Sequence, residues 1–204
     1  VGIAWYRTTN QSKAERLGGS DDQWRWHRLT RLGRRVVRRC ESLGIAVDVS
    51  HCNKSTVMAV CRMAKRPVLC THAAAYRLHK VARNKSDGEL RAIARTGGVV
   101  GVAANGHMLG ASGGVSGGAG GITLLIKQLK YMRRKIGINH VGLATDAYAN
   151  GWPVASPHYP GVALNDEDRW VRVTRELLTA GWSDVDVRKV LGGNFLRVLQ
   201  DILR

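Results

Sequence analysis

The sequence predicts a parallel α/β fold, part of a (β/α) barrel or an open parallel sheet. Three observations carry that reading. Short apolar β-type runs alternate with amphipathic helical segments along the chain. Two of those runs, IAVDVS and PVLCT, are each followed by a histidine, His51 and His72, with a helical segment between them. The chain has 204 residues, short of the ~250 typical of an eight-stranded barrel, and it shows about five βα units.

In order, residues 1–7 (VGIAWYR) read as a strand and residues 8–27 as a polar, irregular excursion. Residues 29–43 read as a helix with Leu29, Leu32, Val36, Cys40 and Leu43 on one face; Gly44 is its stop. Strand 45–50, helix 55–65 and strand 67–71 follow, with Pro67 at a strand's first position, where its missing N–H is tolerated. Residues 73–85 form a long loop carrying Arg77, His79, Lys80 and Arg83. Ser86 and Glu89 form a capping box for a helix that Gly97 ends. Residues 98–103 are the fourth strand. The low-complexity stretch GASGGVSGGAGG, residues 110–121, lacks the Lys-Ser/Thr ending of a phosphate loop. Helix 122–136 precedes strand 140–145, which delivers Asp146 to the same sheet edge as the histidines. A long loop, 147–165, leads to a helix over 166–180 with Trp170, Val173, Leu177 and Leu178 inward. Ser183 caps a further helix, Gly192 and Gly193 break it, and residues 194–203 close the chain as a helix.

A strand, a crossover helix and a second strand are parallel, with a right-handed crossover. His51 and His72 then emerge side by side at the carboxyl edge, where α/β folds keep their chemistry. Neutral imidazole is a common zinc ligand, so the pair is a candidate metal site. The plainer reading is two capped or solvated histidines.

Composition sets further bounds. A hydrophobic fraction of 44% and a charged fraction of 23% are ordinary for one globular domain, here residues 1–204. No apolar run approaches the ~20 residues of a membrane span, and no signal peptide is expected. The cysteines, Cys40, Cys52, Cys61 and Cys70, lack CxxC pairing. They read as free thiols in a reducing, cytoplasmic compartment, with Cys52 and Cys70 beside the candidate site. The net charge is +17, from 32 Lys+Arg against 15 Asp+Glu. That charge alone would suit nucleic acid, but the densest run (Arg31, Arg34, Arg35, Arg38, Arg39) lies on the polar side of a helix, and a nucleic-acid partner is not expected.

Four stretches together resemble the membrane dipeptidase (renal dipeptidase) family of zinc metallopeptidases. They are LTRLGRRVVRRCESLGIAVDVSH, RPVLCTHAAAYRLHKVARNKSDGELRAIARTGGVVGV, INHVGLATD and GWSDVDVRKVLGGNFLRVL. The resemblance covers nearly the whole chain and corresponds to the later part of a (β/α)8 barrel. It implies hydrolysis of dipeptides by metal-activated water at two bridged zinc ions. His51 and His72 would bind one zinc, Arg83 the substrate's terminal carboxylate, and Asp146 would shuttle the water's proton. The family's His-x-Asp pair and bridging Glu find no counterpart here, so the resemblance implies at most one zinc for this chain. A non-catalytic remnant of the same fold is the alternative. Unpaired strand edges predict a homo-oligomer or a completing chain segment.

Overall fold

The computed structural model describes residues 28–110, 119–146 and 168–204. Helix α1 (Arg31–Ser42) leads to strand β1 (Val47–Asp48), helix α2 (Lys54–Met63) and strand β2 (Val68–Ala73). Helix α3 (Asp87–Arg95), strand β3 (Val99–Ala103) and the short helix α4 (Gly106–Leu109) follow. Helix α5 (Ala119–Ile136), strand β4 (Val141–Ala144) and helices α6 (Arg169–Thr179), α7 (Asp184–Arg188) and α8 (Asn194–Leu203) complete the order. The four strands form one parallel sheet in the order β1-β2-β3-β4. Parallel pairing is what successive β-α-β crossovers dictate.

Alternation along the strands divides the side chains between two faces. Val47, Val68, Cys70, Val100, Val102, Val141 and Leu143 pack under the helices in the main core. Leu69 and Val99 face the other way and join Val198 and Ile202 of α8 in a second cluster. Phe195, in the first turn of α8, lies over Gly101 and Gly142. A Cβ on Gly142 would stand 2.4 Å from the Phe195 ring, and one on Gly101 2.1 Å from the Thr71 carbonyl oxygen. The two glycines therefore let a ring and a neighbouring strand approach the sheet closely. Asn194 fixes that end of α8, its Nδ2 donating to the carbonyls of Ile138 and Val141 at 2.7 Å each.

Helix ends follow their local chemistry. Thr30 Oγ1 accepts from Gly33 N–H at 2.9 Å and opens α1, and Gly44 closes it with φ +67°. The Ser86–Glu89 capping box is formed on both sides. Ser183 accepts from the Asp186 N–H at 3.2 Å. The break expected at Gly192 is present as a π-helical turn, Lys189–Gly193, with non-helical backbone at Gly192.

Several expectations need correction. Leu29 and Cys40 are buried as expected, but the stripe between them runs through Gly33 and Val37; Val36 is half-buried, and Leu32 and Leu43 are exposed. The buried stripe overlaps the expected one and is turned from it by less than one residue's step round the helix. In α6, Val173 and Leu177 are buried but Trp170 and Leu178 are exposed. Strand β1 is two residues long, not 45–50, and Ile45 is exposed. β2 runs on to Ala73, so His72 stands inside the strand, at a register irregularity between Cys70 and Ala73. His140 belongs to a 3₁₀ turn, Ile138–His140, rather than to β4. Helix α5 begins at Ala119, inside the glycine-rich stretch, and α4 had no distinct periodic signal. The strand expected over 1–7, the excursion 8–27 and the loop 147–165 lie outside the described residues. All five arginines of the α1 run are exposed, as a solvated face requires. The cysteines are free, with Cys61 half-buried and the other three buried. No helix among the described residues is long and apolar enough to cross a membrane.

Candidate metal centre

β1 and the cap of α2 place His51. After Asp48 the chain turns, with Val49 N–H donating to the Leu69 carbonyl at 2.8 Å and Cys52 N–H to the Val49 carbonyl at 3.1 Å. Asn53 then caps α2, its Oδ1 accepting from Thr56 N–H at 3.0 Å. His51 is thus held between a strand end and a capped helix start. Lys85, fully buried, donates from Nζ to the Cys52 carbonyl at 2.6 Å and ties this turn to the far end of the loop after β2.

His72 comes from β2. Its Nε2 faces His51 Nε2 at 2.9 Å, with ring centroids 4.9 Å apart and planes at 68°. Its Nδ1 lies 3.0 Å from Thr71 Oγ1. Arg83 brings its guanidinium NH1 to His51, touching Nδ1 and standing 3.1 Å from Nε2. Three of the four expected site residues therefore meet. Asp146 takes a separate place: it is exposed, in left-handed backbone (φ 53°), with Oδ2 accepting from Asn105 Nδ2 at 3.2 Å. Its charge still reaches His72 and favours the charged imidazole there.

Burial decides the charge state of the pair. It is the largest influence on His51, followed by Arg83 and His72, and pushes the imidazole down to about 4 from 6.5. His72 is also held below its ordinary value, by burial first, against the opposing pull of Asp146 and Asp48. Both rings are neutral near pH 7, the form that binds metal.

The donor set fits an ion in kind. Two Zn–N bonds of about 2.0–2.1 Å at a tetrahedral angle set the nitrogens roughly 3.3 Å apart, so the facing Nε2 atoms need part by only about 0.4 Å. The set is small, because among the described residues no cluster of three or more His, Cys, Asp or Glu is arranged to hold a metal. Cys52 and Cys70 are not part of it. Both pack in the main core, and burial pushes the Cys70 thiol up to about 12.

Sequence patterning passed over several residues that build this place. Asp48 and Ser50 alternate on one side of an otherwise apolar run, and Thr71 precedes His72. Polar residues of matching parity inside apolar strands were the available signal. Lys85 and Asn105 gave none.

The family model for membrane dipeptidases (peptidase family M19) matches residues 1–203. The chain belongs to the membrane dipeptidase family. As a member of it, the chain is 29% identical over 174 residues to dipeptidase aclJ of Aspergillus oryzae, spanning 85% of this chain and 39% of that protein. It is 30% identical over 178 residues to a Klebsiella pneumoniae protein encoded in the pqqA 5′ region, spanning 85% and 61%. The chain thus covers less than two thirds of either relative. A solved metallopeptidase from Rhodobacter sphaeroides, liganded with a phosphinate mimic of the dipeptide L-Ala-D-Ala, superposes with a TM-score of 0.75 at 25% identity. That match covers 92% of this chain and 50% of the other. An amidohydrolase from Pseudomonas aeruginosa gives 0.77 at 26% identity, over 92% and 61%. The membrane dipeptidase sheet described here is accordingly of the TIM-barrel type.

Proposed function

We propose that this chain carries part of a zinc dipeptidase active site and acts in hydrolysis of the peptide bond of dipeptides. The observation that carries the reading is the meeting of two neutral imidazoles, Nε2 to Nε2, beside a guanidinium. His51 and His72 would hold the ion through Nε2. When bound, zinc supplies Lewis acidity that lowers the pKa of water and polarises the scissile carbonyl. Arg83 binds the substrate's terminal carboxylate, for which its planar fork is suited. Asp146 has Oδ2 held by Asn105, which leaves Oδ1 to take a proton from the attacking water and return it to the departing amine as the C–N bond breaks.

A pair of ligands is one short of the three protein ligands a catalytic zinc normally has. That count favours a second reading, in which the chain keeps the fold and the binding groups and turns over little substrate by itself. The two readings share the carboxylate grip. Titrating the zinc-treated chain with a free dipeptide, observed by NMR, should shift resonances around Arg83, and the carboxyl-amidated dipeptide should not. Arg83→Lys should weaken dipeptide binding several-fold, since an ammonium makes no bidentate fork, while zinc uptake is kept. Equal binding of amidated and free dipeptide would remove the assignment.

A further inference from the structure

The contacts around the histidine pair fix more than their positions. Asp48 is saturated: Oδ1 accepts from Ser50 N–H at 3.1 Å, Ser50 Oγ at 2.6 Å and Thr71 N–H at 3.0 Å, and Oδ2 accepts from Thr71 Oγ1 at 2.9 Å. A carboxylate only accepts, so both hydroxyl hydrogens, of Ser50 and of Thr71, are spent on it. Ser50 Oγ and Thr71 Oγ1, 3.0 Å apart, then have lone pairs alone for their other neighbours. Ser50 Oγ uses one to accept from His72 N–H at 3.2 Å. Thr71 Oγ1 faces His72 Nδ1 at 3.0 Å, and that contact requires the hydrogen to sit on Nδ1.

The other end of the row follows from this one. Arg83 NH1 meets both ring nitrogens of His51 and does not by itself choose its tautomer. The 2.9 Å contact between the two Nε2 atoms needs one hydrogen, which His51 supplies to a bare His72 Nε2.

From these contacts we infer that Asp48, acting through the Thr71 hydroxyl, is a positioning residue that holds His72 in the Nδ1–H tautomer with its Nε2 lone pair aimed at His51. Carboxylate partners commonly orient zinc-bound histidines directly; here a threonine hydroxyl stands between. The role rests on the metal-site reading above in its purpose, though its geometry does not. The order also makes His51 the ring that must change. To present a lone pair at Nε2 it gives up that hydrogen to solvent and takes one at Nδ1, which Arg83 can then no longer face as a donor.

The test is ¹⁵N NMR of the imidazoles in the full 204-residue chain. Without metal, His72 should show a protonated Nδ1 and a bare Nε2, and His51 the reverse. Thr71→Val keeps the shape and removes the hydroxyl; it should shift His72 toward the Nε2–H form. Thr71→Ser should restore the wild-type signature. On adding zinc, His51 should switch tautomer while His72 keeps its own, and Thr71→Val should lower zinc affinity about 10–100-fold. A His72 that carries its hydrogen on Nε2 in the wild-type chain, or one that Thr71→Val does not alter, would overturn the inference. The expected tautomers in a chain that takes up no zinc would uphold it and sink the metal reading instead.

Discussion

Replacing Gly142 by alanine probes how α8 is seated on the sheet, on the face turned away from the main core. The new Cβ would lie 2.4 Å from Phe195 Cε2 and 2.9 Å from Cδ2, against about 3.5–4.0 Å for carbon atoms in good contact. The ring must therefore withdraw by more than about 1 Å. It cannot do so freely, because the adjacent Asn194 is held by two 2.7 Å hydrogen bonds to the carbonyls of Ile138 and Val141. Overpacking of this kind costs about 1–3 kcal/mol. For a chain of this size that is a fall of roughly 2–12 °C in Tm. Urea denaturation followed by circular dichroism should show a lower midpoint with an unchanged m value. In a Phe195→Leu background the same substitution should cost less, with a coupling of about 1 kcal/mol or more. A Gly142→Ala chain as stable as wild type, or an equal cost in both backgrounds, would refute the packing described.

Two further outcomes are expected. His51 is held at about 4 in the folded chain against 6.5 ordinarily, so between those values the unfolded chain takes up a proton that the folded chain refuses. Stability of the metal-free chain should be full above about pH 6.5 and fall as the pH drops toward 4, with His72 acting in the same direction; a His51→Gln/His72→Gln chain with the same acid profile would contradict this. Among the described residues β1 pairs on one side alone, and Leu43, Ile45, Leu196, Leu199 and Leu203 are exposed. The chain should self-associate, and a monomer by light scattering with a sharp, high-temperature melt would count against it.

The parts of this molecule that were legible in its sequence are those set by local chemistry. Capping at Ser86, the stop at Gly44 and the parallel order of the strands follow from nearest neighbours and from crossover geometry. The two histidines were legible because a matching position on successive strands is itself a local pattern. What was not legible depends on partners far along the chain. The stripe of α1 was right at Leu29 and Cys40 and wrong at Leu32 and Leu43, which are apolar enough to suggest burial, while small Gly33 fits the core side. Nothing at Asp48 announces that its carboxylate will be saturated by Ser50 and Thr71, since that needs the register of β1 on β2. Asp146 was placed at the right strand end, yet its left-handed backbone and its partner Asn105 come from the loop beyond β3. Arg83 was assigned to a carboxylate, and its seat against His51 appears once the loop after β2 folds back through the Lys85 anchor.

The central claim is that His51 and His72 together bind a metal ion. Zinc bound per chain, counted after equilibration and again after mild chelation, tests it most directly. One zinc, weakly held and lost to the chelator, is the expected result. His51→Ala and His72→Ala should each abolish it, and Asp146→Asn should leave it nearly unchanged, because the work proposed for Asp146 is on the water rather than the ion. Two tightly held zinc ions, or none in the wild-type chain, would contradict the account.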